Sequence, residues 1–167
     1  MRRPENFAWY TGGVNGRVDY VATKGAADLA LTGGYSPAMA DHNVEIVRAM
    51  YEAFARGDTA TLLSYLDPAM RVYDRPLHPE ASVYEGREGF LRFGQTDWAA
   101  FDEVSYEPQD FVARGTYVVV PIKQSGRGKG SALGIEESIV NLWKLRDGKC
   151  VELRNYSTIN EALQAIE

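Results

Sequence analysis

Cysteine and histidine are scarce in this sequence of 167 residues, which contains one cysteine, Cys150, and two histidines, His42 and His78. A single cysteine excludes a disulfide within the chain and is typical of a reducing compartment, so we predict a cytoplasmic location. The two histidines are far apart and have no cysteine or clustered carboxylates beside them, so no metal site is recognisable. We therefore predict neither a metal nor a cofactor.

The sequence also lacks an excess of positive charge and a long hydrophobic run. Its formal net charge is −5, whereas a nucleic-acid partner favours a basic surface. No apolar run approaches the roughly 20 residues that a membrane-spanning helix needs. The first residues contain no apolar block of the length found in secretory signals. We thus predict no nucleic-acid partner and no membrane partner.

Glycine is unevenly distributed along the chain. Residues 1–38 contain six of the 16 glycines and only one short helix-like segment. Glycine at this density raises the entropic cost of ordering a chain. We predict that residues 1–40 form a loosely ordered N-terminal extension and that residues 41–167 form one folded domain.

Helical periodicity begins after this extension. Apolar residues recur at helical spacing after Asp41, which with Asn43 is a candidate N-cap, and Gly57 ends the pattern. Asp58 is typical of the cap of a second helix. Gly86 precedes a third apolar helical segment.

The second half of the chain has the alternation and turn residues of β-structure. Besides a short strand at residues 70–74, we predict strands near residues 104–113, 116–124, 132–145 and 149–157, followed by a short helix at 160–166. Asp147-Gly148 is a strong hairpin signal. Helices followed by a long meander predict an α+β fold, with helices packed on one face of a curved antiparallel sheet.

Three segments of this pattern resemble SnoaL-like proteins of the nuclear transport factor 2-like superfamily, namely residues 43–58, 83–89 and 142–149. The resemblance extends over roughly residues 41–167. It implies a cone-shaped α+β barrel with a hydrophobic pocket, an apolar small-molecule ligand and a homodimer formed through the sheet. The superfamily includes isomerases, polyketide cyclases, dehydratases, epoxide hydrolases and binding domains, so the fold alone does not determine the activity.

Asp74 is the candidate general base. Counted from Gly57, it stands where the ketosteroid isomerases of this superfamily have the carboxylate that abstracts a proton. A carboxylate at a strand end that faces an apolar pocket is partly desolvated, which makes it a stronger base. The alternative is that Asp74 only caps the turn before Pro76.

Proton abstraction beside a carbonyl also requires donors for the developing oxyanion. The ketosteroid isomerases use a tyrosine and a second, protonated acid as these donors. By the same count, Met50 stands at the position of that tyrosine and Asn141 at the position of that acid. Tyr51 follows Met50 but is turned about 100° around the helix, so we expect it to point elsewhere. Asn141 shares a strand face with Ile139 and Trp143. There it either reaches a ligand or is satisfied by another protein group.

The remaining candidates are one histidine and a set of large side chains. His78, in the loop predicted over the pocket mouth, is a candidate acid or base, or else an exposed loop residue. Most aromatic side chains of such a domain belong to the core, but a subset that lines the pocket favours a flat or ring-shaped ligand. We expect the pocket to be lined by Met50, Phe54, Tyr73, Phe90, Trp98, Tyr117 and Trp143.

Two functions from different classes follow. The first is a cofactor-independent acid–base enzyme, of isomerase, cyclase or lyase type, acting on an apolar carbonyl-containing small molecule. In it Asp74 takes the proton, and Asn141 with a tyrosine polarises the carbonyl. The second is a non-catalytic small-ligand-binding or dimerisation domain, which the missing tyrosine and second acid favour.

Overall fold

The computed structural model of the chain describes residues 36–75, 83–99, 101–128, 130 and 134–167. Pro76 and His78, which belong to a predicted loop, lie outside these residues. In chain order the elements are α1 (Pro37–Ala55), α2 (Thr59–Ser64), β1 (Leu66–Tyr73), β2 (Val83–Glu85), α3 (Gly86–Trp98), β3 (Phe101–Pro108), β4 (Val112–Arg114), β5 (Tyr117–Gly128), β6 (Gly134–Arg146), β7 (Lys149–Tyr156) and α4 (Ile159–Gln164).

The strands form one open sheet in the order β2-β1-β7-β6-β5-β3, and β4 also pairs with β5. The predicted α+β class is confirmed. Every strand pair is antiparallel except β1–β7, which is parallel. A parallel pair needs a long crossover connection, and the elements from β2 to β6 provide one here. The sheet is therefore mixed rather than wholly antiparallel.

The helix caps follow from local sequence. The side chain of Ser36 accepts a hydrogen bond from the backbone N of Met39, and Pro37 occupies the first helical position, so α1 begins there. The predicted start at Asp41 or Asn43 is wrong, because Ser36-Pro37 already provides a start. Asp58 is confirmed as the cap of α2, since its Oδ1 accepts from the backbone N of Thr61 at 3.0 Å.

The Asp147-Gly148 turn joins β6 to β7 as predicted. Both residues have positive φ, 52° for Asp147 and 73° for Gly148. This is the backbone of a two-residue hairpin turn whose twist matches that of the flanking strands. The predicted strands near 116–124, 132–145 and 149–157 are confirmed as β5, β6 and β7, whereas residues 104–113 contain the end of β3 and the start of β4.

The sheet packs on both faces. Its inner face, covered by α1, α2 and α3, forms the main core, which includes Val47, Met50, Met70, Val72, Val118, Val120, Trp143 and Leu153. Its outer face has a smaller cluster of Val119, Val140, Leu142 and Ala162, the last of which is in α4. Strand alternation explains the division, because neighbouring residues of β6 face opposite sides.

None of the helices within the described ranges is long and apolar enough to cross a membrane.

Candidate functional site

A cavity lies between the helices and the inner face of the sheet. Its cavity volume is about 70 Å³, and the empty space is about 660 Å³ when the open solvent at its mouth is included. Aromatic rings supply much of its wall, namely Tyr51, Phe54, Phe90, Phe93, Tyr106 and Trp143. Four of the lining residues, Tyr51, Tyr106, Asn141 and Asn155, have a hydroxyl or amide group.

The hydroxyl of Tyr51 is the centre of the polar part of the cavity. It accepts a hydrogen bond from Nδ2 of Asn141 at 2.7 Å and another from Nε1 of Trp143 at 3.1 Å. A phenolic oxygen can accept such bonds and still donate its own proton. In both contacts the Tyr51 oxygen is the acceptor.

The surroundings of Tyr51 keep that proton in place. Burial raises the pKa of the Tyr51 hydroxyl well above its ordinary value of 10.0, and the hydrogen bonds from Trp143 and Asn141 offset only part of this effect. Removing the proton would create a charge in an apolar environment, which is unfavourable. The hydroxyl is therefore a neutral hydrogen-bond donor at physiological pH.

Asn155 is the direct cross-strand partner of Asn141. The two residues are buried, with 7% of Asn141 and 8% of Asn155 exposed. Partners in adjacent antiparallel strands have side chains on the same face, with Cα atoms about 5 Å apart. β6 and β7 therefore bring a pair of amide groups to one side of the cavity wall.

Asp74 follows the last residue of β1 and is partly buried. Its Oδ1 accepts a hydrogen bond from the backbone N of Arg75 at 2.7 Å. The guanidinium of Arg75 in turn pairs with the carboxylate of Glu137 on β6. Asp74 does not itself line the cavity. The end of β1 is thus tied to β6, and Asp74 lies at this junction.

The other predicted residues fall into three groups. Met50, Phe54, Phe90, Asn141 and Trp143 all line the cavity. Tyr73 and Tyr117 do not, because strand alternation turns them to the outer face. Tyr73 there packs under the guanidinium of Arg154, and Tyr117 packs with the outer cluster. The side chain of Trp98 and all of His78 lie outside the described part of the structure, so their roles stay predictions.

The expectation that Tyr51 points away from the site is wrong. Met50, Tyr51 and Phe54 occupy positions i, i+1 and i+4 of α1, which form one continuous arc of a helix, and all three line the cavity. Asn155 was not singled out from the sequence. Its position opposite Asn141 depends on a register shift between Lys144 and Leu145.

Within the described ranges, no group of three His, Cys, Asp or Glu side chains is arranged to hold a metal ion.

The family model described as SnoaL-like domain matches residues 47–153 of the chain. No curated protein matches this chain. Among solved structures, an NTF2-like protein from Burkholderia xenovorans LB400 is 27% identical, with a TM-score of 0.60 over 80% of this chain and 100% of that chain. A candidate SnoaL-like polyketide cyclase from Jannaschia sp. CCS1 is 21% identical, with a TM-score of 0.63 over 80% and 96%.

A third structure, TerC co-crystallised with polyporic acid, is 20% identical, with a TM-score of 0.60 over 75% of this chain and 98% of that chain. These likenesses agree with the α+β fold described above and with the cone shape that the resemblance implied.

Proposed function

This chain belongs to the SnoaL-like family, and we propose that it is a cofactor-independent acid–base enzyme acting on a flat, mainly apolar small molecule with a carbonyl group. The reaction is of isomerase, cyclase or lyase type. One observation carries the proposal: in an aromatic cavity, the Tyr51 hydroxyl accepts hydrogen bonds from Asn141 and Trp143 and keeps its own proton for a ligand.

In the proposed mechanism the substrate carbonyl oxygen accepts the Tyr51 proton in a hydrogen bond. When a base removes a proton from the carbon next to the carbonyl, the electron pair of that C–H bond moves towards the oxygen. A fixed donor in a water-poor cavity stabilises this developing charge strongly. Asn141 and Trp143 act as positioning residues, because they hold the Tyr51 oxygen from two sides.

Asp74 is the proposed base, and His78 is a proposed second acid or base. Support for Asp74 comes from its place directly after β1, where it is partly buried and the strand end is held by the Arg75–Glu137 pair. The proton that Asp74 takes is returned to a different carbon in an isomerase, which leaves the enzyme unchanged. No external electron donor or acceptor is required.

A homodimer, an apolar small-molecule partner and a cytoplasmic location complete the proposal. TerC was crystallised with polyporic acid, which supports a small organic ligand for the shared fold. The thiol of Cys150 is free and buried, which agrees with a reducing compartment. Sedimentation equilibrium tests the dimer directly.

Proton exchange tests the proposed chemistry without knowledge of the natural substrate. 2-Tetralone, an apolar bicyclic ketone, is incubated with the protein in D₂O, and loss of the protons beside its carbonyl is followed by NMR. We expect the wild type to accelerate exchange, and Tyr51→Phe to lower the rate by about 10²-fold, as for removal of one oxyanion donor. Tyr117→Phe, on the outer face, is the matched control and should keep the wild-type rate.

A non-catalytic binding domain is the second candidate. One observation favours it: the described residues that line the cavity include no carboxylate and no imidazole. Binding of 2-tetralone with exchange no faster than in buffer alone would select this alternative.

A further inference from the structure

Two oxygens in the cavity wall have no hydrogen-bond partner among the described residues. They are the side-chain Oδ1 atoms of Asn141 and Asn155. Both residues are more than nine-tenths buried, both line the cavity, and they face each other across β6 and β7. A buried acceptor without a donor is unfavourable and uncommon in native proteins. A pair of them on one wall needs donors from a bound ligand or from ordered water.

The arrangement around these oxygens defines what the ligand must contain. The Asn141 amide donates through Nδ2 to the Tyr51 hydroxyl, so its Oδ1, the other end of the same small planar group, lies close to that hydroxyl. The wall thus offers a donor, the Tyr51 O–H, beside two acceptors. A complementary ligand has an acceptor oxygen next to a donor group.

We infer that the ligand of this cavity is a hydroxylated ring compound with a hydroxyl adjacent to its carbonyl or other acceptor oxygen. The acceptor oxygen binds the Tyr51 hydroxyl, and the adjacent hydroxyl donates to Asn141 or Asn155. The inference rests on the proposed function, because it concerns the same cavity, and it adds the polar pattern of the substrate. A ketone without a hydroxyl leaves both amide oxygens unpaired and is a poorer fit.

Gln124 provides a matched control. Its Oε1 is also buried without a partner in the described structure, with 7% of the residue exposed. It lies on β5 and does not line the cavity. Replacement of Gln124 therefore removes a similar buried amide without changing the cavity wall.

The test compares two probes, 2,3-dihydroxynaphthalene and 2,3-dimethoxynaphthalene, by titration calorimetry; the first has two hydroxyl donors and the second has none. We expect the wild type to bind the dihydroxy probe about tenfold more tightly, the factor equivalent to one modest hydrogen bond. Asn155→Leu should lower this ratio, because one of the two acceptor oxygens is lost, while Gln124→Met should keep it. Methylation also enlarges the probe, so the change in the ratio between wild type and variant is the decisive quantity.

Thermal unfolding without any probe gives an independent readout. Leucine has nearly the shape of asparagine but no acceptor to satisfy, so Asn155→Leu should raise the melting temperature. A lower melting temperature together with an unchanged probe ratio would show that the Asn155 amide is satisfied within the fold, and this would overturn the inference.

The inference and the proposed function fail in different ways. Equal affinity for both probes in the wild type and in Asn155→Leu overturns the inference and leaves the acid–base proposal intact. Failure of both probes to bind also overturns the inference. The acid–base proposal is then judged by proton exchange of 2-tetralone, which has no hydroxyl and does not depend on the two amide oxygens.

Discussion

The Tyr51 hydroxyl accepts a hydrogen bond from Nδ2 of Asn141 at 2.7 Å, across 90 positions of sequence. This contact joins α1 to β6. The Tyr51 ring also packs in T-shaped contacts against the rings of Trp143 and Phe111, with centroid distances of 6.3 and 5.7 Å. The position of the Tyr51 hydroxyl in the cavity therefore depends on how α1 packs against the sheet.

Replacing Tyr51 by phenylalanine should destabilise the fold as well as slow proton exchange. The change leaves the Asn141 amide N–H and the Trp143 indole N–H without their shared acceptor. We expect a loss of about 1–3 kcal/mol in the free energy of unfolding, the cost of unpaired buried polar groups. Urea unfolding measures it, with Tyr117→Phe as control. Equal stability of wild type and Tyr51→Phe would show that the hydroxyl does not hold these donors.

Replacing Asp74 by asparagine should lower the rate of 2-tetralone exchange by at least about 10²-fold, the lower end of a general base's contribution, without unfolding the protein. The amide keeps an oxygen for the Arg75 N–H but cannot take a proton. Asp67→Asn is the matched control, because Asp67 likewise accepts from a nearby backbone N–H, that of Ala69. An Asp74→Asn variant with wild-type exchange would remove Asp74 from the mechanism.

Gly89 in α3 should not tolerate alanine. A Cβ there would lie 2.9 Å from the backbone carbonyl carbon of Tyr84, so α3 would have to move away from β2. Helix propensity favours alanine by about 1 kcal/mol, but overpacking against backbone exceeds this gain, and we expect a net loss of about 1–3 kcal/mol.

Thermal and urea unfolding measure that loss. Gly134→Ala is the control, since within the described ranges the nearest neighbour of its Cβ would be the Gly126 carbonyl oxygen at 4.0 Å. We expect it to be neutral or slightly stabilising. Two alanine variants of equal stability would contradict the close packing of α3 on β2.

Stability should decline at alkaline pH, in part through Cys150. Burial raises the pKa of this thiol from 9.0 to about 12. Between pH 9 and about pH 12 the unfolded chain releases the thiol proton of Cys150 that the folded protein retains. The free energy of unfolding therefore falls as pH rises. The slope from one such group reaches at most about 1.4 kcal/mol per pH unit.

Urea unfolding from pH 7 to 10.5 measures this slope in wild type and Cys150→Ala. The variant is expected to be less stable at pH 7, because it loses buried volume, but to decline less steeply above pH 9. Parallel curves for the two proteins would contradict the assignment of this pH dependence to Cys150.

The parts of the fold that sequence predicted well depend on local chemistry. The cap at Asp58 and the turn at Asp147-Gly148 each follow from the conformational preference of one or two residues. The start of α1 was missed although Ser36-Pro37 is a local signal, because Asp41 and Asn43 offered a competing cap nearer to the apolar periodicity.

The site was predicted less well because it depends on packing and register. Tyr51 lines the cavity because the arc of α1 that faces the cavity is wider than one helical row. Asn155 faces Asn141 only because a bulge lies between Lys144 and Leu145. Without that bulge the turn register would place Arg154 opposite Asn141, and a slip of one residue reverses the face of every side chain.

The infrared spectrum of a bound carbonyl tests the central claim most directly. 2-Tetralone labelled with ¹³C at its carbonyl is bound to wild type and to Tyr51→Phe, and the carbonyl stretch is recorded by difference spectroscopy. A hydrogen bond from Tyr51 weakens the C=O bond, so the account predicts a lower stretching frequency in the wild type than in the variant. The same frequency in both proteins would contradict it.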